Sequence, residues 1–363
     1  MSETFVAFVF FVVKKRARSK DRQSKIQNQM EDNHMAQRAL TRREFLILSG
    51  GGFVAAGVVG PEALFAQATT IRQGYQTNIW GMPTYYLLRS GALEKRGLKF
   101  EEFAVPSGNL TMQQMVARQV DLGTYAGQSF VTGHDKGGLV AIAQIEKVGK
   151  TSRVMARKEL KITKVADLKG LKIGNQVGSS IGNTFVDIIA PRAGLKKEDY
   201  QEVKMDVNEM VAAAAAKAID AFVTVDPYCS IAEAEGIAIT VVSLYDYDPM
   251  PVFMAATSEF VEKNPQAVVE YLKSWLEVGK DFKQNPSKVA DVIYGFFTSK
   301  GYTMSRQTFS KAMANVEVDI GFPADVRSYL QPIAEGLLKE KKIGAIPDWT
   351  KALRPEFMAK ARG

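Results

Sequence analysis

The sequence is poor in the side chains on which most catalytic and metal sites depend. It contains one cysteine, Cys229, and two histidines, His34 and His134. A single cysteine cannot form an intramolecular disulfide or a Cys-rich zinc site. The same scarcity argues against Ser-His and Cys-His catalysis. We therefore expect no metal ion and no cofactor, a buried Cys229, and a His134 that lies at a loop or helix end.

Most of the chain also lacks an excess of one charge. The formal net charge is +8, but residues 1–68 hold 10 basic and 6 acidic side chains, which leaves 37 and 33 for residues 69–363. Such a close balance of basic and acidic side chains does not supply the clustered basic face that nucleic-acid binding needs. We expect no nucleic-acid partner and assign the N-terminal excess to targeting.

The N-terminal region carries the features of an export signal. Arg42-Arg43 and Phe45-Leu46 precede a Gly/Ala/Val-rich apolar run from Ile47 to Val59, and the small-x-small triplet Ala66-Gln67-Ala68 follows. The run is shorter than the ~20 residues of a membrane-spanning helix. The order of these features resembles a twin-arginine signal. We predict that residues 35–68 are a signal peptide and that the mature protein is periplasmic.

Residues 1–34 do not fit this arrangement. Their apolar stretch, Phe5 to Val13, is only nine residues long and is followed by a basic, polar segment. A start at Met35 would give the signal an ordinary short n-region. We predict that residues 1–34 are an over-extended translation start or a disordered extension.

From Ile71 onwards, strand-like and helix-like segments alternate, which predicts α/β lobes with mostly parallel central sheets. Beyond Glu259 the chain is predicted to be mostly helical. The predicted strands are 71–75, 98–105, 120–124, 139–145, 172–174, 203–205, 221–225, 239–244 and 252–256. The main predicted C-terminal helices are 265–284, 286–297, 305–314 and 323–339.

A short segment that occurs twice in the sequence predicts two similar Rossmann-like lobes. Residues 117–121, Ala-Arg-Gln-Val-Asp, and residues 216–220, Ala-Lys-Ala-Ile-Asp, each stand at a helix end before a buried strand. We expect both aspartates to tie the turn. Extended crossings near 153–157 and 252–257 suggest a hinge. The predicted boundaries are 69–154 and 254–363 for the first lobe and 155–253 for the second.

Three motifs together resemble those of a known protein family. They are Leu-Lys-Gly-Leu-Lys-Ile-Gly at 168–174 with Gly-Ser-Ser at 178–180, Ile-Asp-Ala-Phe at 219–222 with Asp-Pro-Tyr at 226–228, and Val-Asp-Leu-Gly at 120–123 with Gly127. Over residues 70–345 the chain is similar to periplasmic proteins that bind sulfonates, taurine, nitrate and thiamine-pyrimidine precursors. The resemblance implies a type II periplasmic binding fold, a ligand held between two lobes, and an ABC permease as partner. We expect a monomer.

Two departures from that family bear on the ligand. Lys217 stands where the family often has Gly, and Val225 stands where it often has Trp. Without that Trp the cleft loses an aromatic wall. The pyrimidine-synthesising relatives, which are enzymes, carry a Cys-rich motif and an active-site His that this chain lacks, which argues against catalysis.

Binding residues are expected where strands end and helices begin. In the second lobe, Ser179 and Ser180 follow Gly178 at a predicted helix start, where free N–H groups and hydroxyls suit an anionic or carbonyl oxygen. Either serine could instead only cap the helix. Asp226 could accept from a ligand amine or hydroxyl, or cap the helix that follows Pro227.

In the first lobe, the segment from Gln76 to Trp80 follows the first strand. Asn78 offers an amide and Trp80 a flat apolar face, although Trp80 could equally be an ordinary core residue. Gln128 is a plausible donor at the start of a later helix. The ligand could be a sulfonate, a taurine-like zwitterion, a carboxylate, nitrate or a heterocycle.

The predicted mechanism is lobe closure on the ligand, without chemical conversion. Two alternatives remain: a small-molecule enzyme on the same fold, and a ligand-sensing subunit that signals to a membrane receptor.

Overall fold

The computed structural model describes residues 69–363, so the predictions for residues 1–34 and 35–68 lie outside the described part of the chain. Within residues 69–363 no helix has the length and apolar character that a membrane span requires.

Eleven strands and fourteen α-helices make up the described part of the chain. The strands are β1 (Thr70–Gln76), β2 (Lys99–Val105), β3 (Leu122–Ala126), β4 (Leu139–Lys147), β5 (Ser152–Arg157), β6 (Lys172–Asn175), β7 (Gln201–Lys204), β8 (Ala221–Val225), β9 (Ala238–Ser243), β10 (Pro251–Thr257) and β11 (Glu317–Gly321). The helices are α1 (Met82–Arg89), α2 (Gly108–Val116), α3 (Gly127–Gly137), α4 (Ser180–Thr184), α5 (Ala190–Arg192), α6 (Met210–Ala215), α7 (Tyr228–Ala234), α8 (Ser258–Lys263), α9 (Pro265–Gln284), α10 (Pro286–Ser299), α11 (Arg306–Met313), α12 (Val326–Lys339), α13 (Trp349–Ala352) and α14 (Pro355–Arg362). A π-helical segment, Phe185–Ile189, joins α4 to α5.

The strands form two sheets, as predicted, and the α/β class is confirmed. The first sheet has the order β11-β4-β10-β3-β1-β2 and the second the order β7-β6-β8-β5-β9. Each sheet and the helices packed on it form a lobe. The first lobe takes its strands from residues 70–147 and 251–321, and the second from residues 152–243.

The sheets are mixed, which corrects the expectation of mostly parallel pairing. β1, β2, β3 and β4 run in one direction, while β10 lies antiparallel between β3 and β4, and β11 is antiparallel to β4. In the second sheet β5 lies antiparallel between β8 and β9. The physical reason is that β5 and β10 enter their sheets from the opposite lobe, so each runs against its neighbours.

The crossings themselves lie just before β5 and β10 and not within these strands. Residues 153–157 and 252–257 are internal strands. The chain passes between the lobes at residues 148–151 and 244–250, where 3-10 turns form at Gly149–Thr151 and Leu244–Asp246. The two crossings contact each other, because the N–H groups of Val148 and Gly149 donate to the carbonyls of Met250 and Pro249, at 3.1 and 3.0 Å.

Prolines mark the starts of three C-terminal helices, where the missing N–H costs no hydrogen bond. The prediction of a helix over 265–284 is confirmed, and α10 extends two residues beyond its predicted end. The edge strand β11 was not predicted, because a five-residue Glu-Val-Asp-Ile-Gly segment within a helical region gives little strand signal.

Candidate ligand-binding site between the lobes

A small cleft of about 30 Å³ opens where the two lobes face each other. Its volume suits about two water molecules or one small oxyanion group. Side chains and backbone from both lobes line it: Asn78, Trp80, Ser107, Gly108, Asn109, Ala126 and Ser129 from the first lobe, and Gln176, Ser179, Ser180, Ile181, Val207 and Val225 from the second. The structure therefore brings four of the predicted residues, Asn78, Trp80, Ser179 and Ser180, to one gap.

On the first-lobe side, internal hydrogen bonds hold Asn78 and Trp80. The Asn78 Oδ1 accepts from the Trp80 N–H at 3.0 Å, and its Nδ2 donates to the Pro106 carbonyl at 3.1 Å. The Trp80 indole Nε1 donates to Thr151 Oγ1 at 2.7 Å, in the first crossing. Because these polar groups are occupied, the two residues offer the cleft mainly a fixed amide edge and an aromatic surface.

On the second-lobe side, the two adjacent serines differ. The Ser179 Oγ accepts from the Gly182 N–H at 3.1 Å and donates to the Gln176 carbonyl at 2.7 Å, so it caps α4. Ser180 also lines the cleft, and within residues 69–363 its hydroxyl has no hydrogen-bond partner. A ligand oxygen could therefore bind at Ser180 without displacing a protein contact.

Three helix starts face the cleft. Residues 107–109 begin α2, residues 126–129 begin α3, and residues 179–181 begin α4. The first N–H groups of a helix have no intrahelical partner, and together with the helix dipole they favour a negative charge. Since no charged side chain is among the described lining residues, nothing in the lining opposes or neutralises that preference. The arrangement suits an anionic oxygen group.

Three predicted residues, Gln76, Gln128 and Asp226, lie outside this cleft. Gln76 is fully buried, and its amide pairs with Thr124, whose Oγ1 donates to Gln76 Oε1 at 3.2 Å. The side chain is turned inward because it ties the ends of β1 and β3 together. Gln128 lines a neighbouring cavity, where its Oε1 accepts from Asn183 Nδ2 of the second lobe.

Asp226 is fully buried and does not line the cleft. Its Oδ1 accepts from the N–H and the hydroxyl of Ser230, at 3.1 and 2.7 Å, so it satisfies an N–H group in the first turn of α7, whose N-cap position is Pro227. Its Oδ2 accepts from Arg153 at 3.1 Å and from Asn315 at 3.3 Å. Burial raises the pKa of the Asp226 carboxyl, and the Arg153 guanidinium partly offsets that rise. Of the two roles expected for Asp226, these contacts correspond to the one at the start of the helix that follows Pro227.

The Asp226 backbone also joins the lobes. Its N–H donates to the Thr151 carbonyl at 2.8 Å, and its carbonyl accepts from the Ile79 N–H at 3.1 Å. Asp226 therefore connects the start of α7 to the first crossing and to the first-lobe loop that carries Trp80.

Sequence reasoning missed several lining residues, among them Ser107, Asn109, Ser129, Gln176 and Val207. A signal existed for Ser107, because a Ser-Gly-Asn segment between a strand and a helix is a typical N-cap pattern. Val225, where the resembled family often has Trp, lines the cleft, so the missing aromatic wall would have faced the ligand space.

Neither Cys229 nor His134 belongs to the cleft. Cys229 is fully buried, as expected, and burial raises the pKa of its thiol well above the usual range. His134 lies in the last turns of α3, where its Nδ1 is 2.9 Å from the Leu139 carbonyl oxygen. No group of three potential metal-ligating side chains occurs within residues 69–363.

Comparison with known proteins identifies relatives of this chain. Residues 81–289 match the protein family described as NMT1/THI5 like. A Brucella abortus protein that carries the name of a binding protein is 31% identical over 264 residues, which are 71% of this chain and 79% of the relative. An Escherichia coli protein named as an aliphatic sulfonates-binding protein is 28% identical over 235 residues, which are 64% of this chain and 70% of that protein.

Solved structures share the fold. The alkanesulfonate-binding protein of Xanthomonas axonopodis pv. citri, bound to MOPS, superposes with a TM-score of 0.70 at 18% identity, over 80% of this chain and 99% of its own. The desulfurization enzyme DSZB superposes with a TM-score of 0.62 at 13% identity, over 81% of this chain and 99% of its own. The fold thus occurs in both binding proteins and an enzyme. Because the family match spans more than half of the sequence, and the Brucella relative more than two thirds, this chain belongs to the NMT1/THI5-like family.

Proposed function

We propose that the chain is the solute-binding protein of an ABC importer and that it holds an anionic oxygen group of its ligand at the three helix starts. The observation that carries this proposal is the inter-lobe cleft, in which uncharged donors and helix N-termini from both lobes converge. The names of the Escherichia coli and Brucella relatives agree with a binding role.

A sulfonate fits these donors best. Its three oxygens spread one negative charge and can accept from several N–H and hydroxyl donors at once, whereas a compact cationic ligand would meet the positive ends of three helices. The sulfonate name of one relative supports the same class.

Binding without chemical conversion is part of the proposal. The described lining offers amides, hydroxyls, apolar side chains and an indole, and none of these is a general acid or base near neutral pH. This supports a binder over an enzyme such as the one that shares the fold.

Export and partners complete the proposal. We propose that residues 35–68 direct export through a twin-arginine signal, that translation starts at Met35, and that the periplasmic protein is a monomer which presents its closed form to a membrane permease. Closure is favoured by the contacts that a ligand adds across the cleft.

Ligand binding to the purified full chain tests the proposal. In a thermal-shift screen of methanesulfonate, taurine, nitrate, acetate and choline, a bound anion at 100 times its dissociation constant adds about 2.7 kcal/mol and raises Tm by several degrees. Ser180→Asp places a carboxylate where the ligand oxygen would lie, and we expect it to weaken binding by at least about 100-fold.

Ser305→Asp is the matched control. Ser305 caps α11, outside the cleft, through a 3.0 Å hydrogen bond from the Thr308 N–H, and aspartate caps equally well. This variant should keep wild-type affinity. Unchanged binding in Ser180→Asp, or equal losses in both variants, would remove the start of α4 from the site.

A further inference from the structure

A cavity of about 580 Å³ lies within the first lobe and shares no lining residue with the inter-lobe cleft. Its volume is within the range of small-molecule sites. The walls come from the end of α9, the first turns of α10, the end of α11 and the segment that leads into β11. Because all of these walls belong to one lobe, a molecule bound here would not need to span the two lobes.

Most of the cavity wall is apolar. Five larger apolar side chains line it, namely Phe282, Val289, Met313, Val316 and Val318. They come from all four elements of the wall, so an apolar molecule would be covered from several sides. Such a wall favours a ligand with a hydrocarbon body, because its methylene groups would leave water.

The charged part of the cavity lining has a surplus of positive charge. Lys283 and Glu317 are the charged residues that line it among residues 69–363. Glu317 forms an ion pair with Lys150, which lies in the first crossing. Lys283 forms no ion pair within the described part of the chain. The side chain left to attract a ligand charge is therefore a cation.

The start of α10, which lies beside Lys283 in the lining, adds to this preference. The N-cap residue Asn285 makes no capping hydrogen bond, because its Nδ2 donates to Asp281 Oδ1 at 3.0 Å. Ser287, in the first turn of this fourteen-residue helix, lines the cavity and offers a hydroxyl. A lysine, a hydroxyl and the positive end of a helix together suit one anionic group.

One wall of the cavity also contacts the second lobe and the first crossing. Within residues 313–318, Asn315 donates its Nδ2 to Asp226 Oδ2 of the second lobe at 3.3 Å, and Glu317 pairs with Lys150. The preceding helix α11 packs against α7 of the second lobe. Separation of the lobes would break the contact between Asn315 and Asp226 and release this wall. A molecule packed against the wall would oppose that release.

We propose that this cavity is a second ligand site, which binds an amphipathic monoanion with its charged group at Lys283, and that its occupancy favours the lobe arrangement in which Asn315 reaches Asp226. The inference goes beyond the proposed function, because it concerns a different site and a different class of ligand. By linkage, an occupant of this cavity strengthens whatever binds to the same arrangement of the lobes.

Calorimetric titration of the full chain with decanoate tests the site. The Ser180→Asp variant is used throughout, so that an anion is kept out of the cleft. Decanoate should bind at least about 50-fold more tightly than acetate, because its chain is buried. Decylammonium, with the same chain and the opposite charge, should bind at least about fivefold more weakly than decanoate.

Lys283→Glu should weaken the binding of decanoate at least about fivefold, since it replaces an attraction by a repulsion. Lys280→Glu is the matched control. Lys280 also lies on α9 and is exposed, does not line the cavity, and forms no ion pair among the residues that the structure describes. This control should keep decanoate affinity within about twofold.

The effect on the lobes is measured as a distance between spin labels. Gln113→Cys on α2 and Asn208→Cys before α6 place one label on each lobe at exposed positions, and the single native cysteine, Cys229, is buried and escapes labelling. In the Ser180→Asp background, saturating decanoate should shift the mean distance to a shorter value. Asn315→Ala should reduce this shift, because the wall then loses its contact with the second lobe.

Absence of decanoate binding, equal affinities for decanoate and decylammonium, or equal losses in Lys283→Glu and Lys280→Glu would overturn the cavity as an anion site. Label distances that do not respond to decanoate, or that respond equally in Asn315→Ala, would overturn the coupling to the lobes. Each of these results leaves the proposed function intact, because every measurement is made with the cleft blocked.

Discussion

The two lobes use the same turn before a buried strand. In the first lobe the Asp121 N–H donates to the Arg72 carbonyl at 2.8 Å, and Asp121 Oδ2 accepts from the Arg72 N–H at 3.0 Å. In the second lobe Asp220 makes the same pair of bonds with Lys172, at 2.8 and 3.0 Å. The prediction that both aspartates tie the turn is confirmed, and the turn belongs to the scaffold.

A second correspondence lies at the cleft itself. Gly81 and Gly182 each pack against the end of the preceding strand segment, so that a Cβ on either would collide with a carbonyl oxygen, that of Gln76 or of Gln176. The lobes thus place their loops at the cleft by the same close approach of backbone to backbone.

The lobes differ in what those loops present. The polar groups of Asn78 and Trp80 are bound within the protein, whereas the hydroxyl of Ser180 has no partner among the described residues. The two lobes therefore share the scaffold that positions these loops, but the loops differ in the groups that they present to a ligand. The loop that carries Asn78 and Trp80 offers a fixed surface, and the loop at Ser180 offers a free hydroxyl.

The largest effect is expected from the two close-packed glycines. Gly81→Ala and Gly182→Ala should each lower the free energy of unfolding by about 3 kcal/mol or more, because backbone must move to admit the methyl group. Gly295→Ala, where a Cβ meets nothing within 4 Å, should instead be neutral or stabilising by up to about 1 kcal/mol. Urea unfolding measures the stability of all three variants. Destabilisation by only one of Gly81→Ala and Gly182→Ala would contradict the correspondence between the lobes.

The aspartates should have intermediate effects that differ between the lobes. Asp121→Ala removes a partly buried bidentate pair with Arg72 and should cost about 2 to 3 kcal/mol. Asp220 is more exposed, and its partner Arg157 keeps a second carboxylate, Glu159, so Asp220→Ala should cost about 1 to 2 kcal/mol. Asp319→Ala, at an exposed position on β11, is the control and should change stability little. The reverse order in urea unfolding would contradict this ranking.

Whether a feature of the fold or of the site could be predicted from the sequence depends on how close in sequence the residues that determine it are. The helix over 265–284 depends on neighbouring residues and was predicted. The Asp turn was predicted from its repetition in the sequence, although each aspartate bonds a strand 48 or 49 residues away. The strand β11 depends on pairing with β4, which is far away in sequence, and was missed. Ser180 lies at the start of α4 and lines the cleft, and this position could be predicted because it depends on the residues of its own helix start. Gln76 and Asp226 lie outside the cleft because each turns inward to partners on other elements, which the sequence pattern around them does not reveal.

The smallest effect is expected at Arg118 and Lys217, which lie three residues before Asp121 and Asp220. Arg118 and Lys217 adopt positive φ angles of 61° and 60°, which L-residues disfavour. Lys217→Gly relieves the strain of the positive φ angle but gives the unfolded chain more conformational entropy. The net effect should be a rise of about 0.5 kcal/mol in the free energy of unfolding. Arg118→Gly also loses the 3.0 Å hydrogen bond to the Gly137 carbonyl and should give no gain. Equal stabilisation in both, measured by thermal unfolding, would show that the Arg118 contact contributes nothing.

The central claim is that the helix start at Ser180 and the facing loop at Asn78 together bind one ligand molecule. A crystal structure of the full chain grown with pentane-1-sulfonate tests it most directly. The account predicts sulfonate oxygens within hydrogen-bonding distance, about 3 Å, of the first amides of α4 and in contact with the Asn78–Trp80 loop. A sulfonate bound to one lobe alone, or bound outside this gap, would contradict it.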